Sequence, residues 1–210
     1  MANGYNHPAI VTLENVSNNE SIIYKAARLS YGVDVDLLAD YNPEHASKLI
    51  KYLLVHKHLV PFEHIMFTFH ITCPLFVARH LYTYRTWSRS EQSMRYTDVT
   101  NAEYYIPEAI SLQDTFDYAD AVDKAFEIYE KLRQNSIKKE TARMVLPVCV
   151  YTQFIATINL RNLMHLFEQR LQKDVQYETH FTVQSMFDIV SKELPIWREH
   201  YGTDHLYLTR

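Results

Sequence analysis

The scarcity of glycine is the feature of this sequence that most restricts what it can fold into. The chain of 210 residues contains only Gly4, Gly32 and Gly202, which lie far apart. A dinucleotide-binding fingerprint or a P-loop needs two or more glycines within a few residues, because the backbone there approaches the phosphates closely. Neither motif can occur in this chain. If it binds a nucleotide, arginines, hydroxyl groups and helix N-termini must hold the phosphates.

Length and charge narrow the class of protein. The length fits a single domain over residues 1–210. The formal net charge is −4, from 21 Lys and Arg against 25 Asp and Glu. We therefore expect no nucleic-acid partner, because duplex affinity comes mostly from neutralising phosphates. No apolar run reaches the about eighteen residues that span a membrane, and the N-terminus lacks a secretory signal, so a cytoplasmic protein without a membrane partner is expected.

The two cysteines cannot build a disulfide framework. Cys73 and Cys149 both lie in apolar runs of the sequence. A nucleophilic cysteine needs an electropositive and partly exposed setting. We expect both to be buried thiols without a catalytic role.

Local patterns predict an α+β fold with several helices and a small, mostly antiparallel sheet. Asn42 followed by Pro43 predicts a helix start, and the apolar spacing continues to about residue 57. Residues 65–73 alternate between apolar and polar side chains, which is typical of a half-buried strand. Further helices are predicted over 75–86, 117–134, 138–146, 162–171 and 175–193, a β-rich segment over 148–159, and an irregular polar segment over 87–101.

A first cluster of reactive groups, His58 to His64, precedes the predicted strand. Its sequence, HLVPFEH, suggests a zinc site, but the two histidines are six residues apart with Pro61 between them. The metalloprotease arrangement needs two histidines four apart on one helical turn. We therefore expect no metal, and favour a loop in which histidine and glutamate side chains order the backbone.

A second cluster covers residues 83–97 and contains three arginines, three serines and one carboxylate. Such a loop can wrap a phosphate with guanidinium and hydroxyl groups. Arg79 and His80, just before it, are in reach of the same site. A solvated surface loop explains the composition equally well.

A third cluster joins Arg143-Met-Val-Leu-Pro147 with residues 159–170. Asn162 suits a helix N-cap, and His165 and Gln169 would share a helix face with it. Arg143 ends an otherwise apolar helix, where an unpaired charge is costly to bury. That favours an anionic ligand, with a structural salt bridge as the alternative.

In order along the chain, these stretches resemble the flavin-dependent thymidylate synthases. The signature of that family reads Arg-His-Arg, seven residues and then Ser, usually continued as x-Arg-Tyr. Here Thr83-Tyr84-Arg85 is followed by seven residues and then by Ser93-Met94-Arg95-Tyr96. The likeness spans roughly residues 24–195, and its other matching segments are Ala26–Tyr31, Pro61–Arg79, Arg143–Pro147, Asn159–Leu163 and Arg170.

The resemblance implies one α+β domain that assembles as a homotetramer, with FAD and nucleotide sites between subunits. It implies a methyltransferase of nucleotide biosynthesis that converts dUMP to dTMP. Methylenetetrahydrofolate would give the carbon, and FAD reduced by NADPH would give the hydride. The lack of an activated cysteine and of glycine-rich loops agrees with that chemistry and with that mode of FAD binding.

Motif positions also imply the roles of individual residues. Arg170 would reach the uracil ring, where a charged donor stabilises charge developing on a carbonyl. With Ser93 and Glu91 it forms the expected catalytic set. The implied dUMP-binding residues are His80, Glu91, Gln92, Ser93, Met94, Arg95, Arg143 and Arg170. The implied FAD-binding residues are Ser30, His58, Thr83, Tyr84, Arg85, Glu91, Asn159, Arg161 and His165.

This sequence departs from the family pattern around the expected flavin and base. Thr83 and Tyr84 replace the first Arg and the His of the signature, and Met94 stands where Gly is common. Losing an arginine removes a charge-assisted hydrogen bond worth about 1.5–3 kcal/mol. These changes leave two alternatives to dTMP synthesis. One is C5 hydroxymethylation of dUMP or dCMP on the same scaffold, and the other is a non-catalytic nucleotide-binding homologue.

Overall fold

The structure, a computed structural model, describes residues 4–30, 32, 41–99, 102–108 and 110–202. Tyr31, at the end of the family-like segment Ala26–Tyr31, lies outside these residues. Helices and strands are mixed along the described chain, which confirms the predicted α+β class.

The helices are α1 (Ser21–Leu29), α2 (Pro43–Val55), α3 (Leu75–Tyr82), α4 (Leu112–Gln134), α5 (Lys139–Ala142), α6 (Leu160–Arg170), α7 (Tyr177–Glu193) and α8 (Pro195–His200). The strands are β1 (Gly4–Tyr5), β2 (Ile10–Val16), β3 (Met66–Pro74), β4 (Ser88–Glu91), β5 (Tyr104–Tyr105) and β6 (Tyr151–Asn159). Short 3-10 turns cover Val60–His64 and Arg143–Val145.

Four strands form one sheet in the order β2-β3-β6-β4, and β1 pairs with β5 in parallel. The β3–β6 pair is antiparallel. The Leu75 amide donates to the Val150 carbonyl, and the Leu160 amide donates to the Ile65 carbonyl. Residue numbers therefore fall on one strand as they rise on the other. This confirms the expected small and mostly antiparallel sheet.

Strong local signals in the sequence predicted α2 and β3 correctly. The Asn42 side chain accepts hydrogen bonds from the amides of Glu44 and His45, at 2.8 and 3.3 Å. Two of the unpaired amides at the start of α2 are thereby satisfied. In β3, Phe67, Phe69, Ile71 and Cys73 are buried while the residues between them are partly exposed, as the alternation predicted.

Several predicted elements end or begin differently, and α4 begins at Leu112 instead of 117. Helix α3 stops at Tyr82 instead of continuing to 86, because the Thr83 hydroxyl and amide both donate to the His80 carbonyl and close the last turn. The segment 87–101 is not wholly irregular, since Ser88–Glu91 form β4 at the edge of the sheet. All four β4 residues are exposed, so no apolar alternation marked the strand in the sequence.

The third cluster also needs correction. Asn159, not Asn162, caps α6, because its side chain accepts the Asn162 amide at 2.9 Å. The helix predicted over 138–146 is only α5, followed by the 3-10 turn Arg143–Val145. Arg143 is exposed in that turn, so its charge carries no burial cost of the kind expected.

Two helices end in a left-handed residue that is not glycine. Lys57 has φ 56° after α2, and Ser136 has φ 62° after α4. In each case the following amide reaches back to the helix: His58 to the Leu53 carbonyl at 2.9 Å, and Ile137 to the Leu132 carbonyl at 3.0 Å. This is the Schellman motif, which normally places glycine at the left-handed position. The chain therefore uses side-chain-bearing residues where glycine would be unstrained.

The described residues group into two compact units. The first unit comprises those of 1–10, 71–83 and 90–155, and the second those of 11–70, 84–89 and 156–210. The expectation of a single domain stays a prediction. None of the helices in the described residues is long and apolar enough to cross a membrane.

Each unit has its own core. In the first, Tyr104, Val122, Phe126, Cys149 and Val150 form a buried cluster that packs α4 against the residues just before β6. In the second, a run of buried rings packs α6, α7 and α8 together. It contains Phe167, Phe187, Trp197 and Tyr201, with neighbouring ring centroids 4.5–6.1 Å apart.

Candidate active site

The first unit contains a cavity of about 660 Å³, hereafter the first cavity. Leu75, Leu146 and Val148 form part of its apolar wall. It brings together five residues that the family motif marked for dUMP, namely Glu91, Gln92, Ser93, Met94 and Arg143. A volume in this range suits a small organic ligand.

Cationic side chains outnumber acidic ones around the first cavity. Arg79 and Arg143 contribute two positive charges and Glu91 one negative charge, a formal sum of +1. Guanidinium groups bind phosphate through paired N–H donors. The cavity is therefore suited to an anionic ligand that also has an apolar part.

Glu91 is fixed by a residue that sequence reasoning missed. The Thr152 hydroxyl donates to Glu91 Oε1 at 2.8 Å, and Thr152 is only 3% exposed. Next to it, the Gln153 side-chain amide donates to Gln92 Oε1 at 2.9 Å, and the Gln92 backbone amide donates to the Gln153 carbonyl. The available signal was the alternation of β6, which places a hydroxyl on its buried face.

Ser93 begins a tight turn that carries Arg95. The Ser93 carbonyl accepts the amides of Tyr96 and Thr97, each at 3.0 Å, and its hydroxyl accepts the Arg95 amide at 3.3 Å. Arg95 Nε donates to Glu140 Oε2 at 2.7 Å on the exposed surface of the unit. One edge of the guanidinium is thus held by a carboxylate, and Arg95 does not line the first cavity.

The second unit contains a cavity of about 670 Å³, hereafter the second cavity. Leu54, Leu59 and Met164 give it an apolar wall. It brings together three residues that the motif marked for FAD: Tyr84, Arg161 and His165. Lys57, Asn162, Glu168, Gln172 and Tyr201 also line it, and the family motifs had marked none of them for FAD.

Hydrogen bonds hold the polar side of the second cavity. The Tyr84 hydroxyl donates to the Asn162 carbonyl at 2.7 Å and lies 3.0 Å from His165 Nδ1. The Gln169 amide nitrogen lies 2.9 Å from His165 Nε2, which confirms the shared helix face that the sequence predicted. Burial, followed by the negative charge of Glu168, raises the pKa of Tyr84, so its phenol stays neutral.

The His58–His64 stretch has a structural part in the second unit. Glu63 forms an ion pair with Arg161, which fixes the 3-10 turn Val60–His64 next to the start of α6. This agrees with the expected ordering role of the glutamate. Within the described ranges, no three His, Cys, Asp or Glu side chains are grouped as metal ligands.

The remaining expected FAD residues lie in several settings. Ser30 and Arg85 are exposed, and the Thr83 hydroxyl is bonded to the His80 carbonyl. His58 is exposed, with its ring 6.2 Å from those of Tyr52 and His56. Asn159 uses its side-chain oxygen to cap α6. Their contacts with FAD, and that of Glu91, stay predictions.

Besides Arg95, two further expected nucleotide residues do not line the first cavity. His80 lies in the last turn of α3, where its neighbour Arg79 lines the cavity instead. Arg170 is the last residue of α6, in the second unit. Their roles toward the nucleotide stay predictions.

Neither cysteine is an activated nucleophile. Burial raises the pKa of the Cys73 thiol to about 12, with a further contribution from the charge of Glu91. Burial also raises the pKa of Cys149. Since the thiolate is the reactive form, both are inert core thiols at neutral pH, as the sequence predicted.

Comparison with known proteins gives a consistent result. Residues 12–196 match the family described as thymidylate synthase complementing protein. The flavin-dependent thymidylate synthase of Thermosipho melanesiensis is 36% identical over 185 residues, covering 79% of this chain and 78% of the relative. The enzyme of the same description from Pseudothermotoga lettingae is 38% identical over 177 residues, covering 79% and 77%.

Solved structures give the same result for the fold. The UMP/dUMP methylase PolB from Streptomyces cacaoi bound with 5-Br dUMP superposes with a TM-score of 0.89 and 31% identity, covering 97% of this chain and 98% of that chain. The same methylase bound with 5-Br UMP superposes with a TM-score of 0.82 and 30% identity, covering 95% and 96%.

Proposed function

We propose that this chain, an enzyme that belongs to the flavin-dependent thymidylate synthase family, makes dTMP from dUMP by reductive methylation. Methylenetetrahydrofolate would be the carbon donor, and NADPH the source of reducing equivalents. The observation that carries the proposal is the first cavity, where five motif residues meet under a net positive charge.

The first cavity fits a pyrimidine nucleotide. Arg143 and the Ser93 turn would bind the phosphate. Arg95, whose Nε is held by Glu140, would reach the same phosphate through its other guanidinium nitrogens, as the family motif implies, although it does not line the cavity. The apolar wall suits the faces of a pyrimidine ring. Glu91, held by Thr152, would accept a hydrogen bond from the nucleotide, because an ionised carboxylate is an acceptor only.

The donor set of the second cavity fits FAD. Leu54, Leu59 and Met164 suit the flat apolar faces of a flavin, while Lys57, Arg161 and Asn162 supply donors for its polar and phosphate groups. A bound flavin supplies hydride to the carbon being reduced. The inert thiols of Cys73 and Cys149 also fit a reaction without a cysteine adduct.

Two features of the substrate, its base and its sugar, can be identified by comparing candidate nucleotides. PolB was solved with both 5-Br dUMP and 5-Br UMP, so UMP is a second candidate substrate for this chain. The altered signature, Thr83-Tyr84-Arg85, keeps hydroxymethylation of dUMP or dCMP as the competing reaction. A homotetramer with shared sites, as in the family, completes the proposal.

The experiment begins with the purified protein loaded with FAD. We expect yellow protein that NADPH bleaches under anaerobic conditions. Incubation with methylenetetrahydrofolate and dUMP should then give a product of the mass of dTMP, with UMP and dCMP as parallel substrates. A protein that cannot be loaded with FAD would contradict the proposal, and a hydroxymethyl product would replace it with the competing reaction.

Variants locate the nucleotide site. Arg95→Ala and Arg170→Ala should each weaken dUMP binding about tenfold or more, since a hydrogen bond to a charged group is worth about 1.5–3 kcal/mol. Arg89→Ala is the matched control, because Arg89 is an exposed arginine on β4 that the family motif does not mark for the nucleotide. Unchanged dUMP affinity in both variants would show that these two residues do not bind the nucleotide.

A further inference from the structure

Tyr84 stands where the family signature has histidine, and the fold holds its ring in one place. Its side chain is only 6% exposed. It packs edge-on against Trp87, with ring centroids 6.4 Å apart, and tilts over His165 at 5.5 Å. A ring enclosed on two sides has little rotational freedom, so the direction of its hydroxyl is set by the protein.

The Tyr84 hydroxyl uses its single proton in a hydrogen bond to a backbone carbonyl. The hydroxyl donates to the Asn162 carbonyl at 2.7 Å, and the carbonyl can only accept. The second contact of the same oxygen is with His165 Nδ1 at 3.0 Å. Since a tyrosine hydroxyl has one proton, this contact requires the proton to lie on Nδ1 of the histidine.

The other ring nitrogen meets a donor. The side-chain amide nitrogen of Gln169, one helical turn further along α6, lies 2.9 Å from His165 Nε2. An amide nitrogen donates, so Nε2 must accept and carries no proton. The two contacts are compatible only with a neutral imidazole protonated at Nδ1.

We propose that Tyr84 is a positioning residue that holds His165 as the neutral Nδ1–H tautomer. His165 lines the second cavity. It therefore offers its Nε2 lone pair as an acceptor to a ligand N–H, in competition with Gln169, and adds no positive charge. A heterocycle with an amide or imide edge, such as a flavin ring, has the matching donor, and this last step rests on the proposed function.

The tautomer can be read directly in the protein. Histidine labelled with ¹⁵N in the ring gives distinct two-bond correlation patterns for the Nδ1–H form, the Nε2–H form and the imidazolium. The chain has eleven histidines, and His165→Gln identifies the signal of interest. We expect the Nδ1–H pattern for His165 at neutral pH in the full-length protein, with and without FAD.

Tyr84→Phe keeps the ring and removes the acceptor. The Nδ1–H population of His165 should fall, while the remaining histidine signals stay in place and report an intact fold. Tyr177→Phe is the matched control on α7, where the ring is exposed. Gln169→Leu removes the other partner and should leave the Nδ1–H form in place, because Tyr84 still accepts from it.

Several results would overturn the assignment. An Nε2–H or imidazolium pattern in the unmodified protein contradicts it. So does an unchanged pattern in Tyr84→Phe, or a switch in Gln169→Leu. FAD titration tests the contact with the flavin separately from the tautomer. Tyr84→Phe should weaken FAD binding about three- to tenfold. A changed tautomer with unchanged FAD affinity would reject the flavin contact while keeping the role of Tyr84.

Discussion

Replacing Lys57 with glycine tests whether the left-handed helix ends of this chain carry a free-energy cost. Lys57 has φ 56°, and its amide and that of His58 close the Schellman motif after α2. A residue with a Cβ pays about 1–2 kcal/mol in this conformation. Glycine avoids that cost but loses about 0.5–1 kcal/mol through its freer unfolded chain. Taking the midpoints of both ranges, the net expectation for Lys57→Gly is a gain of about 0.75 kcal/mol in the free energy of unfolding, within limits of about 0 and 1.5 kcal/mol.

The same substitution should weaken FAD binding, because Lys57 lines the second cavity. An exposed charge contact is worth up to about 1 kcal/mol, so the dissociation constant should rise by about fivefold at most. Two further variants separate the effect of the backbone conformation on stability from the effect of the Lys57 charge on FAD binding. Ser136→Gly relieves the same conformation after α4, in the first unit, and Ser136 does not line that cavity. Lys57→Ala removes the charge and keeps the left-handed strain.

The assays are urea unfolding followed by circular dichroism and FAD titration on the same preparations. Both glycine variants should raise the urea midpoint, whereas only the two Lys57 variants should weaken FAD binding. If neither glycine variant is more stable, the positive φ carries no cost and the reasoning from the Schellman motif fails. If Lys57→Ala binds FAD as the unmodified protein does, Lys57 makes no contact with the cofactor.

Two other predictions follow from buried polar groups. Thr152→Val removes the hydroxyl that donates to Glu91 and keeps the shape of the side chain. It should weaken dUMP binding, measured by calorimetry, about tenfold. Thr152→Ser keeps a hydroxyl and should bind dUMP normally, and equal dUMP affinity in all three proteins would exclude a role for this contact. Burial raises the pKa of Glu20, whose carboxylate accepts the backbone amide of Trp197. Between the ordinary and the raised pKa the folded chain keeps a proton that the unfolded chain has lost, so stability falls as the pH rises through that window. The free energy of unfolding of Glu20→Gln should therefore increase relative to that of the unmodified protein as the pH rises from 4 to 7. A difference between the two proteins that does not change with pH would contradict the argument.

Sequence reasoning succeeded where neighbouring residues decide the structure. Helix α2 was predictable because Asn42 and Pro43 begin it, and β3 because one face alternates with the other. It failed at β4, whose four exposed polar residues carry no periodic signal and become a strand only by pairing with β6. It also chose Asn162 over Asn159 as the cap of α6, because both residues suit a cap and only the strand end at Asn159 decides between them.

The candidate site could be predicted as a set of residues, but its supporting contacts could not. The signature marked Glu91 and Tyr84 through their positions in the motif. Their partners, Thr152 and the Asn162 carbonyl, lie 61 and 78 residues away in the sequence. Nothing in a single sequence pairs residues over that separation. Contacts of this kind therefore exist only in the folded chain, and no sequence pattern specifies them.

Ion pairs that hold arginine side chains in place offer one way for a chain with only three glycines to bind anionic ligands. A glycine-rich loop holds phosphate with backbone amides that the fold has already fixed. A guanidinium on a flexible side chain must instead be ordered, and the rotamer entropy at stake is about 2 kcal/mol. Here Glu140 holds Arg95 in the first unit, and Glu63 holds Arg161 in the second. The carboxylates thus supply part of the preorganisation that glycine loops give to other nucleotide-binding proteins, so removing one should weaken ligand binding even though it removes a negative charge.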